Sequence, residues 1–395
     1  MSSRHLRIAA LVAVAVPLAG CVSNTAATPN GVRSLTVSST TDACSVSELT
    51  APSGPLSFSV TNNGDRVTEF YLLADDSLRI IGEVENIGPG ITRDLTVQAK
   101  AGTYFTLCKP GMLGDGVGKA AFTVTDSGTP ITVSATEQQQ IDAAAAGYVA
   151  YVKEQTGRLV SATQAFLAAY TAGDDVAARA LYASARSNYE RIEPVAESFG
   201  DLDPKIDRRE ADLAPDDEWT GWHRLEKDLW PPTTAATSGA DYVALTGQER
   251  AQHAATLTAD TQKLYDLVHA ADYTVMIDAI SNGAVSLLDE VASGKITGEE
   301  EVWSHTDLWD FQANLEGARV AYDGVRDMVV AKSPGLARQL DREFAALQKR
   351  LSAFGSLADG FVFYDKLSPA QIKDLANSVS ALSEPLSKLT AALVS

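Results

Sequence analysis

The hydrophobic pattern of this chain changes its period once, near Glu137, and that change constrains the fold more than any other feature. Before Glu137, apolar residues come in short, partly alternating runs rich in β-branched and aromatic side chains, which is typical of strands. After Glu137, the sequence is rich in alanine and apolar residues recur at helical spacing. We therefore expect two domains of different class, a β-domain over residues 34–135 and a helical domain over residues 136–395.

Six short runs in the first part have the composition of strands, and turn sequences with Asn-Gly or Pro-Gly lie between them. The runs cover residues 35–37, 56–60, 69–73, 95–97, 103–107 and 121–124. Several short strands within about 100 residues are typical of a β-sandwich. We therefore expect an all-β Greek-key sandwich.

Seven stretches of the second part have helical periodicity, and Gly or Pro residues interrupt them. They cover residues 138–172, 175–199, 220–229, 248–288, 306–330, 334–354 and 369–394. The second part therefore predicts an all-α bundle.

The first residues have the pattern of a secretory leader. Arg4 and Arg7 precede a short apolar run over residues 8–16, which is too short to span a bilayer. The following Leu-Ala-Gly-Cys ending at Cys21 resembles a bacterial lipobox. We expect a signal peptide over residues 1–20, lipid attachment to Cys21 and a lipidated tether over residues 21–33. The protein is then extracytoplasmic and lipid-anchored to the cell membrane, on the periplasmic side or at the cell surface.

The chain is strongly acidic, with 51 Asp and Glu against 32 Lys and Arg and a formal net charge of −19. Such a balance argues against binding to nucleic acid and against polybasic docking to anionic lipid. It favours cations as ligands, although many secreted proteins are acidic for solubility alone.

One short motif joins an imidazole and a carboxylate. His223 and Glu226 lie three residues apart in the sequence Gly-Trp-His-Arg-Leu-Glu-Lys, and residues at this spacing share one helical face. Glu190 and Glu193 repeat the spacing with two carboxylates. The pattern predicts a metal site inside the helical domain, and a solvated helix face is the alternative.

Three segments of the helical part mix acidic residues with aromatic or apolar neighbours. They cover residues 189–210, 219–230 and 305–318. This mixture is typical of a site that faces inward rather than of a fully hydrated surface.

These motifs resemble those of the EfeO-type iron-uptake lipoproteins. The resemblance extends over nearly the whole chain after the leader, and its most specific pieces are residues 221–227, 189–194 and 201–204. It implies an N-terminal all-β cupredoxin-like Greek-key sandwich followed by an all-α imelysin-like helical bundle of the M75 peptidase-like class.

The resemblance also implies a set of metal ligands in the helical domain. Carboxylates with one imidazole suit iron as Fe2+ or Fe3+, with zinc as another metal that such donors bind. Asp307 has a second interpretation as a helix cap, and Arg208 or Arg209 would compete for Asp207. The implied ligands are His223, Glu226, Glu190, Glu193 and Asp207, with Asp307, Asp310 and Glu316 as further contributors.

A second metal site, for iron or copper, is implied in the β-domain. Its ligands are Cys44, Glu69 and Cys108, with Met112 and Glu83 as looser candidates. No histidine occurs between Arg33 and Glu137, which excludes a blue-copper centre because that centre uses two histidines. The competing interpretation is a Cys44–Cys108 disulfide, since an even pair of cysteines in an oxidising compartment is most simply a disulfide.

Three functions follow from these residues. The resemblance implies capture of iron and its delivery to a membrane iron permease, with a haem-dependent dye-decolourising-type peroxidase as a second partner. A metal-dependent peptidase is the first alternative, but zincins carry His-Glu-x-x-His and Lys227 stands where a second histidine would be needed. A cell-surface adhesin that uses Trp219, Trp222 and Trp230 is the other alternative.

Overall fold

The computed structural model describes residues 32–75, 77, 80–112, 116–128, 135–214, 217–232 and 242–394. They form a β-rich N-terminal part followed by a helical part, as the change in period predicts. The predicted signal peptide, Cys21 and nearly all of the tether lie outside the described residues. No helix of the described chain is long and apolar enough to cross a membrane.

The strands of the N-terminal part form two sheets that pack face to face. Within the described residues one sheet has the order β2-β1-β4-β7 and the other β3-β9-β8-β5-β6. β1 pairs with β4 in parallel, as does β3 with β9, whereas the remaining pairs of these sheets are antiparallel. The strands are β1 Arg33–Ser39, β2 Cys44–Val46, β3 Thr50–Pro52, β4 Gly54–Asn62, β5 Thr68–Leu73, β6 Ile80–Ile87, β7 Thr92–Ala99, β8 Gly102–Cys108 and β9 Val117–Thr125.

The core between the sheets follows from alternation along the strands. In β4 every second side chain is buried, and Phe58 lies 5.2 Å from Phe70 and 5.4 Å from Phe122 between ring centroids. The six predicted runs all fall within strands. The short β2 and β3 were not predicted, nor was β6, where Glu83 and Glu85 lower the β-propensity.

The helical part is built mainly from long helices packed on one apolar core. Its helices are α1 Ala135–Thr171, α2 Asp175–Glu190, α3 Asp203–Asp207, α4 Trp222–Leu229, α5 Gly247–His269, α6 Ile277–Ser293, α7 Asp307–Lys332, α8 Pro334–Leu351, α9 Pro369–Leu386 and α10 Leu389–Val394. Two short strands, β10 Gly355–Ser356 and β11 Gly360–Phe361, pair between α8 and α9. The prediction of an all-α bundle is therefore wrong in this detail. Gly355 and Gly360 allow the pairing because both adopt positive φ.

Two predicted helices are divided. The stretch over 175–199 is helical only to Glu190, and a 3-10 helix follows over Glu193–Leu202, because Pro194 disfavours the α conformation at Glu193. Glu190 and Glu193 are thus not on one α-helix. The stretch over 248–288 divides into α5 and α6, with aromatic and β-branched residues of low helix propensity between them.

The two parts of the chain meet along α6. Asn282 donates from Nδ2 to the Thr96 carbonyl at 2.7 Å, and Arg93 lies 3.0 Å from Asp289. The other side of α6 packs on the 3-10 helix and on α7, which carry several of the predicted ligands. α6 therefore links the β-rich part to the region of the candidate site.

Candidate metal centre

The predicted His-x-x-Glu pair is brought together in the first turn of α4. His223 Nδ1 lies 3.3 Å from Glu226 Oε2, and both side chains are buried. They lie on a helix that packs into the apolar core through Trp222 and Leu225. The alternative of a solvated helix face is therefore wrong.

Gly221 sets the position of this turn. It precedes α4 with a φ of +86°, and a Cβ atom there would lie 2.2 Å from the Ile206 carbonyl oxygen. Only glycine allows so close an approach. The start of α4 consequently lies against the end of α3, next to Asp207.

Backbone donors hold Glu226 in place. Its Oε1 accepts hydrogen bonds from the N–H groups of Trp303 at 3.0 Å and Ser304 at 2.7 Å. These two bonds fix the orientation of the carboxylate group. They leave the other oxygen directed at His223, as a metal ligand pair requires.

Three groups of donors in the described chain lie close enough together to hold a metal ion. In each group, one ligand atom per residue lies within 4.8 Å of the others. The groups are Asp207, His223 and Glu300; His223, Glu226 and Glu301; and Glu190, Glu193 and Asp207. Five of the ligands predicted from the sequence therefore belong to these groups. Glu300 and Glu301 also belong to them and were not predicted. The signal that should have found them is the Glu-Glu-Glu run over residues 299–301, which is followed by Val302 and Trp303.

Two further predicted residues, Asp307 and Asp310, are buried in the first turn of α7. Asp307 Oδ1 accepts a hydrogen bond from the Glu301 N–H at 3.3 Å, and Thr306 occupies the N-cap position. The interpretation of Asp307 as the helix cap is therefore wrong. Within the described residues, both oxygens of Asp310 and Oδ2 of Asp307 have no hydrogen-bond partner.

Glu316 does not join these donors. It lies further along α7, where its carboxylate is 2.8 Å from Arg191 Nε and accepts a hydrogen bond from Gln312 at 3.0 Å. Its side chain is 37% exposed, unlike the buried ligands. The prediction of Glu316 as a contributor is wrong, because six residues, or about 1.7 turns of α-helix, carry it away from Asp310.

A buried arginine lies between the donor groups. The guanidinium of Arg186 contacts Glu190 at 2.7 Å, Glu300 at 2.8 Å and Glu301 at 2.6 Å. It also pairs with Asp207. Neither Arg208 nor Arg209, which the sequence offered as partners of Asp207, pairs with it. Arg208 pairs with Asp217, and Arg209 pairs with Asp212 and also donates to Glu300 at 3.3 Å.

A buried lysine lies at the other end of the cluster. Lys295 Nζ is 3.1 Å from Glu190 Oε2 and 2.9 Å from Glu193 Oε1, and the side chain has no exposed surface. Neither of these two buried cations was predicted from the sequence. Arg186 is four residues before Glu190, and that i,i+4 spacing was its available signal.

The electrostatics of the cluster show that its negative charge is not fully balanced. Burial raises the pKa of Asp307 to about 7, and burial also raises the pKa values of Glu301 and Asp310. Burial and Arg186 act to lower the pKa of His223, but hydrogen bonds to Glu226 and Glu300 outweigh them and raise it to about 9. The carboxylates of Asp307, Glu301 and Asp310 therefore hold protons unless a further cation neutralises them. Burial also acts to raise the pKa values of Glu190 and Glu300, but nearby cations, chiefly Arg186 for Glu190 and Lys295 for Glu300, outweigh it and lower both values.

The donor chemistry fits a transition-metal ion. Carboxylate oxygens and one imidazole suit Fe2+, Fe3+, Mn2+ and Zn2+ better than Cu+. Among the described residues, both oxygens of Asp310 and Oδ2 of Asp307 have no hydrogen-bond partner. Buried polar atoms rarely remain so, and a bound cation would satisfy them.

In the β-rich part, Cys44 and Cys108 form a disulfide across 64 residues. The two sulfur atoms are bonded to each other, so the predicted site with two thiolates is not available in this form. Glu69 is buried and accepts a hydrogen bond from the Tyr71 hydroxyl. Met112 lies in a 3-10 turn after β8.

Glu83 belongs to a second acidic group at the junction of the two parts. It lies near Glu69 and Glu85 of the β-rich part and near Glu197 of the helical part, and burial raises its pKa. Burial also raises the pKa of Glu197 to about 7. This group is hydrogen-bonded within itself through Glu83.

Comparison with known proteins agrees with this architecture. The family model for imelysin, peptidase family M75, matches residues 144–389. Proteins named iron uptake system component EfeO from Escherichia coli K12, Shigella flexneri and Shigella sonnei are each 36% identical over 353 residues, which is 89% of this chain and 88% of each relative.

The chain therefore belongs to the imelysin family, whose matched region includes every donor of the candidate site. Within that family it belongs with the EfeO-type components, so the resemblance predicted from residues 221–227 is confirmed.

Proposed function

We propose that this protein is an extracytoplasmic iron-binding lipoprotein that captures iron and delivers it to a membrane iron permease. The observation that carries the proposal is the buried set of carboxylates around His223, near which both oxygens of Asp310 and Oδ2 of Asp307 have no hydrogen-bond partner within the described residues. The relatives' name, iron uptake system component, supports iron as the cargo. Either Fe2+ or Fe3+ suits these donors, and zinc is the competing metal.

We further propose a location at the membrane and two protein partners. The lipobox-like sequence before Cys21 supports a lipid anchor, and the anchor would hold the protein beside a permease and a haem-dependent dye-decolourising-type peroxidase. The two packed sheets support a cupredoxin-like Greek-key assignment for the β-rich part. With its cysteines paired, that part has no thiolate pair for copper among the described residues.

The chemistry of the site favours binding over hydrolysis. A zinc peptidase needs a metal with an open position for water and room for a peptide beside it. His223 is buried, and Lys227, which stands in place of a second histidine, lies 2.6 Å from Glu210. An adhesin is also disfavoured, because Trp222 is buried against Phe166 rather than presented to solvent.

Replacing His223 with alanine should weaken iron binding at least tenfold while the fold is kept. The imidazole belongs to two of the three donor groups, so its loss leaves each of them one ligand short. The measurement is calorimetric titration of the soluble protein with Fe2+ without oxygen and with Fe3+ citrate in air. His253→Ala, on the partly exposed face of α5, is the matched control and should bind iron as the wild type does.

Wild-type iron affinity in the His223→Ala variant would contradict the assignment of this centre. No iron binding by the wild-type protein in either oxidation state would contradict the proposed function itself.

The metal-free protein should lose stability as the pH rises from about 5.5 to 8.5. Asp307 titrates near 7 instead of its ordinary 3.8, and His223 near 9 instead of 6.5, so the folded state binds more protons than the unfolded state across this window. Stability falls with pH wherever the folded state holds the extra protons. A metal ion must replace those protons, so metal affinity should rise over the same window.

Thermal unfolding of the metal-free protein, and of the protein with excess Mn2+, at several pH values checks both trends. The unfolding midpoint of the metal-free form should fall with pH, and the increase caused by Mn2+ should grow. A midpoint of the metal-free form that rises steadily from pH 5.5 to 8.5 would rule out the proton-loaded cluster.

A further inference from the structure

The ammonium group of Lys295 lies where a metal ion would bind. Nζ is 3.1 Å from Glu190 Oε2 and lies 2.9 and 3.0 Å from the two oxygens of Glu193. Glu190 and Glu193 are also two of the three donors in one candidate metal group. An ammonium and a metal ion cannot share these oxygens, because both would need the same lone pairs and would repel each other.

The two carboxylates are held in place by a residue other than Lys295. Asn314 on α7 donates from Nδ2 to Glu190 Oε2 at 2.9 Å and to Glu193 Oε2 at 2.8 Å. It also donates to the Glu190 carbonyl at 3.1 Å. The carboxylate pair therefore stays assembled when the ammonium leaves, and a metal ion would find a preformed site.

Lys295 and Arg186 differ in how firmly they are held. Arg186 is a planar donor fixed by carboxylates from several segments of the chain. Lys295 is a point charge on a flexible four-carbon stem. Its shortest carboxylate contacts are with Glu190 and Glu193. The Glu300 carboxylate, which Arg186 contacts at 2.8 Å, is 3.7 Å from the ammonium. Of the two internal cations, Lys295 is the one that can move aside.

An alternative partner for the ammonium lies nearby. Glu290, in the last turn of α6, is close enough to Lys295 for its charge to act on the ammonium. α6 ends at Ser293, only two residues before Lys295. A rotation of the Lys295 side chain would therefore leave its ammonium close to the end of α6. The displaced ammonium therefore need not remain buried without a counter-ion.

We propose that Lys295 is an internal competitor for the metal, so that an ion binds Glu190 and Glu193 only by displacing the Lys295 ammonium. The inference rests on the proposed function of the centre as an iron site and adds the residue that sets its affinity. Since Coulomb attraction grows with charge, ions of charge two or three replace a single ammonium, whereas monovalent ions do not. Competition of this kind keeps binding reversible, which delivery of the cargo requires.

The test compares Lys295→Met with the wild type. Methionine has nearly the same length and no charge, so the carboxylates lose their competitor. We expect the variant to bind Fe2+ without oxygen, and Mn2+, at least tenfold more tightly in calorimetric titrations. Lys388→Met, which removes an exposed lysine that pairs with Glu384, is the matched control and should bind as the wild type does. Lys295→Arg keeps the charge and should not tighten binding.

Unchanged or weaker metal binding by a folded Lys295→Met protein would overturn the inference. Iron binding by the wild type in the same titrations would show that the proposed function holds even if Lys295 is not a competitor. If the wild type binds none of Fe2+, Fe3+ and Mn2+, both fail together. Should Lys295→Met not fold, a crystal structure of the wild type with Mn2+ decides. Nζ more than about 4 Å from Glu193 is the expected result by the hydrogen-bond limit, and Nζ still between Glu190 and Glu193 overturns the inference.

Discussion

Replacement of Arg186 with methionine should lower the free energy of unfolding of the metal-free protein by about 3–5 kcal/mol, the cost of removing one partner from a buried ion pair. Arg186 has no exposed surface and contacts carboxylates that come from α2, from α3 and from the segment before α7. Without the guanidinium, these carboxylates remain buried and repel each other. Some would then take up protons, which offsets part of the loss.

Urea denaturation followed by circular dichroism measures this effect. Arg338→Met, on the exposed face of α8, is the control and should change the free energy of unfolding by less than about 0.5 kcal/mol. Saturating Mn2+ should restore part of the stability of Arg186→Met, because the metal supplies the missing positive charge. An Arg186→Met protein as stable as the wild type would show that the cluster does not depend on this arginine.

The second large effect concerns the β-rich part. Changing both Cys44 and Cys108 to serine should destabilise that part by about 4 kcal/mol, because the disulfide closes a loop across 64 residues and so restricts the unfolded chain. Cys44 lies at the start of β2 and Cys108 at the end of β8, which belong to different sheets. The bond therefore fastens the two layers of the sandwich to each other.

Urea denaturation with and without a reductant separates the disulfide from the serine substitutions. The reductant should lower the transition midpoint of the wild type and leave that of the double variant unchanged. Equal stability of the reduced and oxidised wild-type protein would show that the loop closure contributes nothing.

Much of the fold was predictable because it depends on local periodicity. The six predicted strand runs all lie inside strands, and the starts of α4, α7 and α8 agree with the structure to within about two residues, the usual uncertainty of element boundaries. The strands that were not predicted are those whose formation depends on contacts between residues far apart in the sequence or on a close backbone approach. β6 pairs with β5 despite its two glutamates, and the pairing of β10 with β11 depends on a close backbone approach at Gly355.

The site was only partly predictable for the same reason. His223 and Glu226 are neighbours on one helical turn, so their spacing alone brings them together. Glu300, Glu301 and Lys295 reach the same cluster through tertiary packing more than seventy residues further along the chain, and nothing in their local sequence sets that distance. The prediction for Glu316 was wrong for the opposite reason, because this residue is close to Asp310 in sequence but does not lie in the cluster.

The burial of the centre affects the rates at which a metal ion enters and leaves it. His223, Glu226 and Asp310 have no exposed surface, so an ion in solution cannot touch them while every side chain keeps its place. Loading and unloading then require a transient local opening, and at high metal concentration the loading rate should level off at the rate of that opening. The residence time of a bound ion is in turn a property of the protein's own motion. A partner that favours the open form would therefore shorten that time without competing for a single ligand.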